Sequence, residues 1–204
     1  GQYQNVISHI KDVLPEVLCI RYIYRIVRNF SEDCMRCGFK NDSTLNINLE
    51  TDDKNQLVKD LISVFRDPDK FEVLKNRCII NELLKYRCEE IHILLNNKDK
   101  IMNKFDNHTR KIRWHIQRLY RIRNEITHSA YNGNKSLVIY IEHLYTYLAQ
   151  LMSEVVYYVK HKNVESIEEA FETILLNYYT YQEVITTNTL DIQDILPDGV
   201  IDIL

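Results

Sequence analysis

Only 4 Gly and 3 Pro interrupt 204 residues. Tight turns must therefore be few, and long helices are favoured. The apolar residues agree with this. From Val6 to Phe30 they recur at helical spacing through Ile7, Ile10, Val13, Leu14, Val17, Leu18, Tyr22 and Ile26. Pro15 is expected to break this run or open a new first turn, with Asp12 as a cap. The pattern lapses over residues 29–54. That stretch holds Cys34-Met35-Arg36-Cys37-Gly38 and a short alternation, Leu45 to Leu49, and reads as a loop with one minor strand or hairpin arm. Periodicity returns at Asn55–Phe65, is punctuated by Asp67-Pro68-Asp69, and covers Phe71–Leu95. After the turn signal Asn96-Asn97 comes a long helix over Lys98–Ser129, with Asn107 as a place where it could be interrupted. Turn chemistry follows at Tyr131-Asn132-Gly133-Asn134, then a helix over Ser136–Lys160. Ser166 and Glu169 form a capping box for a last helix to about Thr186. The expectation is an all-α antiparallel helical bundle with one irregular insertion near residues 31–54. Its core helices are 98–129, 136–160 and 166–186. Residues 1–54 form a segment packed on a bundle of residues 55–187, and residues 188–204 form an acidic and apolar tail.

Hydrophobic content of 45% and charged content of 27% suit a globular chain. The net charge is only -3, so any nucleic-acid binding must come from a local patch. Lys11, Glu16, Arg21 and Arg25 interrupt the most apolar early stretch, and no membrane span is expected. The start lacks the basic and apolar regions of a signal peptide. Five cysteines, an odd number at low density, fit a reducing cytosol. The first residue is Gly1 rather than Met, which suggests an excised piece of a longer protein.

The local basic excess lies on the long helix: Arg110, Lys111, Arg113, His115, Arg118 and Arg121, with Trp114 among them. Arg113, Arg118 and Arg121 are candidate RNA-binding residues, because a basic stripe with an aromatic can track phosphates and stack a base. The stripe leads to Arg121-Ile122-Arg123-Asn124-Glu125-Ile126-Thr127-His128. A guanidinium that holds phosphate and an imidazole that titrates near neutrality are the groups needed to cut RNA without a metal. On an ideal helix Arg121, Asn124 and His128 share one face, while Leu119, Ile122 and Ile126 make a separate core face. Arg123 falls about 140° around from His128. Convergence of the two needs a distorted last turn, a long reach by Arg123, or two copies of the helix facing each other.

Arg123-Asn124-Glu125-Ile126-Thr127-His128 resembles the R-x4-6-H signature of HEPN domains. Tyr120 to His128 is most similar to the ApeA-like branch of bacterial anti-phage defence proteins. The resemblance implies a dimeric helical bundle with a composite site. It also implies metal- and cofactor-independent RNA cleavage, of tRNA or other RNA, leaving 2′,3′-cyclic phosphate and 5′-hydroxyl ends. His128 would be general base or acid, Arg123 would stabilise the phosphorane charge, and Asn124 would orient the site. The chain would be the effector of an abortive-infection defence protein, held in check by an upstream sensor domain. One branch of the family carries a modifiable Tyr two residues after the His, and here that position is Ala130. Two other readings stay open: a non-catalytic helical module that binds RNA or protein, and a nucleotide sensor with its ligand near Arg121 and His128.

Cys34-x-x-Cys37-Gly38 resembles half a zinc knuckle. A structural zinc takes four ligands, and Cys19, Cys78 and Cys88 are scattered. Two loop thiols with no metal are the expectation, and a zinc held through Cys34 and Cys37 stays open as the alternative. Glu89-Glu90 and Glu168-Glu169 are helix neighbours about 100° apart and build no acid/base dyad. The fourteen tyrosines are expected to fill helix interfaces, some of them at a dimer seam.

Overall fold

A computed structural model describes residues 2–129, 137–162 and 164–187. The expected turn at residues 131–134, Ala130, Ser136 and the tail 188–204 lie outside the described residues. Among those described there are eight helices and one two-stranded hairpin: α1 Gln2–Cys19, α2 Tyr22–Arg36, β1 Asn41–Asp42, β2 Ile47–Asn48, α3 Lys54–Arg66, α4 Pro68–Cys78, α5 Glu82–Leu95, α6 Lys98–Ser129, α7 Leu137–His161 and α8 Ile167–Thr187. The all-α expectation holds. None of these helices is long and apolar enough to cross a membrane.

The described residues form two compact units, one from residues up to 19 and between 105 and 179, the other from residues 20–104 and 180–187. The boundary expected at 54/55 is therefore not where the units part. The reason is visible across that boundary: Tyr24 donates to Asn55 Oδ1 at 3.0 Å, and Phe30 meets Phe65 edge-on at 5.3 Å.

In the unit built on residues 20–104, α2, α3, α4 and α5 pack pairwise around Phe30, Leu57, Leu61, Ile62, Phe65 and Leu95, all buried. Helix α2 extends to Arg36, so only residues 37–53 of the expected irregular insertion are irregular. Val27, Phe30 and Cys34 keep its buried stripe going at helical spacing. The alternation at Leu45, Ile47 and Leu49 does place three buried side chains. The hairpin pairs Asn41 with Asn48 and Asp42 with Ile47, antiparallel. Its turn uses Asn46 at φ 54°, a left-handed conformation that Asn tolerates. The expected single helix over Phe71–Leu95 is two. Asn81 accepts from the Leu84 amide at 3.0 Å and starts α5 afresh. Asp67 caps α4 in the same way, with Pro68 in the first turn.

In the other unit, α1, α7, the first part of α8 and most of α6 come together. Leu18, Ile112 and Ile116 form a buried cluster, with Leu14 and Tyr147 packed against it. Pro15 breaks nothing: α1 runs through it to Cys19. An interior proline leaves the carbonyl four residues earlier without its amide donor. Here that carbonyl belongs to Lys11, and Arg113 Nε donates to it at 3.3 Å. The expected capping box is present: Ser166 Oγ accepts from the Glu169 amide at 3.1 Å, and Glu169 accepts in turn from the Glu165 amide at 2.9 Å.

Candidate nucleic-acid interface

Helix α6 bears all the candidate site residues and runs unbroken past Asn107. Phe105, Thr109, Ile112 and Ile116 form its buried stripe at i, i+4, i+7 and i+11. Beyond Ile116 the stripe fades. Leu119 and Ile122 are only half-buried, and Ile126 is 39% exposed. The expected core face of Leu119, Ile122 and Ile126 is therefore only partly buried.

Arg121, Arg123 and His128 are exposed and Asn124 is half-buried. Arg123 Nη1 donates to Asn124 Oδ1 at 3.0 Å, Thr127 Oγ1 donates to the Arg123 carbonyl at 2.8 Å, and the α-helix continues to Ser129. Neither Arg123 nor Asn124 is hydrogen-bonded to His128 among the described residues. Of the three routes to convergence, the distorted last turn is thus absent. Arg123 lies close to the line that continues the buried stripe, and His128 points well away from it.

The three RNA-binding candidates separate. Arg113 is turned toward α1. Its guanidinium pairs with the Glu16 carboxylate, and its Nε takes the Lys11 carbonyl. Glu16 is 5% exposed. Burial pushes its carboxyl above the usual range, with its own backbone hydrogen bond and Arg113 pulling the other way. Arg113 is thus a structural residue rather than an open phosphate ligand. Arg118 and Arg121 instead line a groove between α6 and α7, together with Lys111, Trp114, Tyr140 and Tyr147. The Arg118 guanidinium sits 5.1 Å from the Tyr140 ring centre. His115 Nδ1 and the Tyr147 hydroxyl are 2.8 Å apart, and the rings of His115 and His143 are 4.9 Å apart. Burial, then His143 and Arg118, lower the His115 pKa. Its ring is thereby favoured in the neutral form, as an apolar and hydrogen-bonding wall of the groove.

Tyr140, His143 and Tyr147 join the groove region only through the fold. Their signal was an i, i+3, i+7 aromatic spacing on α7, which by itself is indistinguishable from packing. The pairs 118 with 140 and 115 with 147 show α6 and α7 antiparallel here.

The outer surface of α7 is unusually apolar. Val138, Ile141, Tyr145, Leu148, Met152, Val156 and Val159, spaced three or four apart, are between 44% and 73% exposed. Such spacing makes one seam along a helix.

Cys34 is buried, and Cys37 caps α2 half-exposed. Cys34 interacts not with Cys37 as a ligand pair but with buried Cys78, which also meets buried Cys88. Hydrogen bonding to Cys78, followed by burial, pushes the Cys34 and Cys88 thiols up. No group of three or more His, Cys, Asp or Glu side chains among the described residues is placed to hold a metal. No known protein family, no curated protein and no solved structure matches the chain.

Proposed function

We propose that this chain is a HEPN-type, metal-independent endoribonuclease whose active site is completed by a second copy. The observation that carries the reading is the exposure of Arg123 and His128, diverging, at the end of a helix whose antiparallel neighbour bears an uncovered apolar seam. A two-fold axis beside such groups can bring Arg123 of one copy to His128 of the other. The seam supplies a reason for two chains to meet. Its side chains offer on the order of 800 Å² per chain, which is what a standard stable interface needs.

In that assembly His128 of one copy takes the 2′-hydroxyl proton as the 2′-oxygen bonds to phosphorus, and Arg123 of the other holds the phosphorane charge. The P–O5′ bond breaks, and the leaving 5′-oxygen takes the proton back from the His128 imidazolium, giving 2′,3′-cyclic phosphate and 5′-hydroxyl ends. Asn124, tied to Arg123, orients that guanidinium. Through its likeness to the ApeA-like branch, the reading extends to an effector of anti-phage abortive infection, controlled by an upstream sensor and acting on tRNA or other RNA.

The test is complementation in EDTA. Arg123→Ala and His128→Ala chains should each be inactive on total cellular RNA. Mixed, they should recover about a quarter of parental activity, because half of random dimers are mixed and each holds one intact composite site. Activity retained in both single variants would refute the catalytic assignment. Silence on mixing, with heterodimers demonstrated, would refute the composite site. The second reading, a non-catalytic RNA-binding module, is favoured by one fact: the cationic groove is complete within a single chain. It predicts RNA binding without turnover by the parent.

A further inference from the structure

Lys111, Trp114, Arg118 and Arg121 stand at i, i+3, i+7 and i+10 of α6 and all line the α6–α7 groove. They span about 15 Å of helix, the reach of a few nucleotides. Glu125 is the one acidic residue in that lining among the described residues, so the groove is cationic in a chain of net charge -3. Two flat surfaces accompany the cations. Trp114 is 69% exposed, and the Arg118 guanidinium lies against Tyr140. A large apolar ring left in water beside arginines suits a ligand that has π-faces as well as negative charge. An acidic peptide would use the arginines but leave the indole without a partner. A duplex would present phosphates but keep its base faces stacked inside.

We propose that the α6–α7 groove is a single-stranded RNA subsite, with a base stacked on Trp114 and phosphates held by Lys111, Arg118 and Arg121. It adds a grip on the strand along the stretch of α6 that leads up to Arg123 and His128. His115, Tyr147 and His143 brace its floor. The assignment rests on RNA being the substrate, but it stands or falls on a different measurement from cleavage.

Trp114 is the only tryptophan in the chain, so its fluorescence reports this groove alone. The full chain carrying His128→Ala, which spares the RNA from cutting, is titrated with an end-labelled, mixed-sequence single-stranded RNA octamer. Anisotropy and tryptophan emission are followed together. The expected result is quenching of Trp114 that saturates with the anisotropy, and weaker binding to a duplex of the same sequence. Arg118→Ala with Arg121→Ala should weaken binding at least ten-fold. It should also make the log–log salt slope shallower by about 1.4, two phosphates at roughly 0.7 each. Arg121→Glu, a change on an exposed side chain, gives a second variant if the pair perturbs folding. An anisotropy rise without quenching, equal binding of the duplex, competition by polyglutamate as strong as by RNA, or no RNA binding at all would each overturn the subsite. Quenching by RNA in a chain whose parent never cuts would leave the subsite standing and remove the nuclease. Cutting by the parent without quenching would do the reverse.

Discussion

Replacing Arg113 by Met tests how α1 is held. The change keeps much of the aliphatic stem and removes the charge. Two groups lose their partner: the Glu16 carboxylate, on a side chain only 7% exposed, and the Lys11 carbonyl that Pro15 leaves without an amide. Removing one member of a fully buried ion pair costs about 3–5 kcal/mol. The Arg113 side chain is 44% exposed, so solvent screening brings the cost below that range, to about 2 kcal/mol. The stranded carbonyl adds about 1 kcal/mol. The sum, about 3 kcal/mol, corresponds to a fall in Tm of about 8 °C for a chain of this length. Thermal and urea unfolding, followed by circular dichroism and by Trp114 emission, measure it.

The pH dependence has a definite sign. Burial already holds the folded pKa of Glu16 above its unfolded value, and removal of Arg113 raises it further. A carboxyl with a raised folded pKa destabilises the fold fully above that pKa, and the cost fades as pH falls toward the unfolded value. The variant's deficit should therefore be larger at pH 7.5 than at pH 5. Glu16→Gln placed on Arg113→Met should recover part of it at pH 7.5. Parental stability at pH 7.5, or a deficit unchanged between the two pH values, would refute the account.

The α7 seam and the cysteines give two further expectations. Leu148 is 53% exposed. If the seam joins two chains, Leu148→Glu loses about 1.5 kcal/mol of apolar burial per copy and weakens the dimer by more than 100-fold. Sedimentation over a concentration series reads this, and a parent that stays monomeric at high concentration would dismiss the seam. Cys37 is half-exposed, whereas Cys19, Cys34, Cys78 and Cys88 are buried. A thiol reagent on the native protein should therefore label Cys37 at once and the other four only on unfolding. Fast labelling of Cys78 would contradict the buried thiol chain Cys34–Cys78–Cys88.

Much of the helical framework was legible in the residues, since periodicity, caps and breakers act within a few positions of one another. Ser166 with Glu169, Asp67 with Pro68, and the long run to Ser129 are of this kind. The unbroken helix at Pro15 and the helix start at Asn81 are illegible for a shared reason. Whether a proline is tolerated depends on what takes the carbonyl it strands, and that donor, Arg113, lies 102 positions from Lys11. Asn81 is one polar residue among many until its side chain is seen to accept the Leu84 amide.

The same division runs through the site. Sequence alone determined that a cationic, imidazole-bearing stretch sits on one long helix, and that Arg123 and His128 cannot converge along it, because 3.6 residues per turn fixes their bearing. Only the tertiary structure decided which cations face open space. Packing against α1 turned Arg113 into a strut, while α7 laid Tyr140 and Tyr147 beside Arg118 and His115 and made a groove. It also decided that the last turns of α6 and the outer face of α7 lie beyond the core. Helical spacing says which residues share a face; only the neighbouring elements say whether that face meets protein or water.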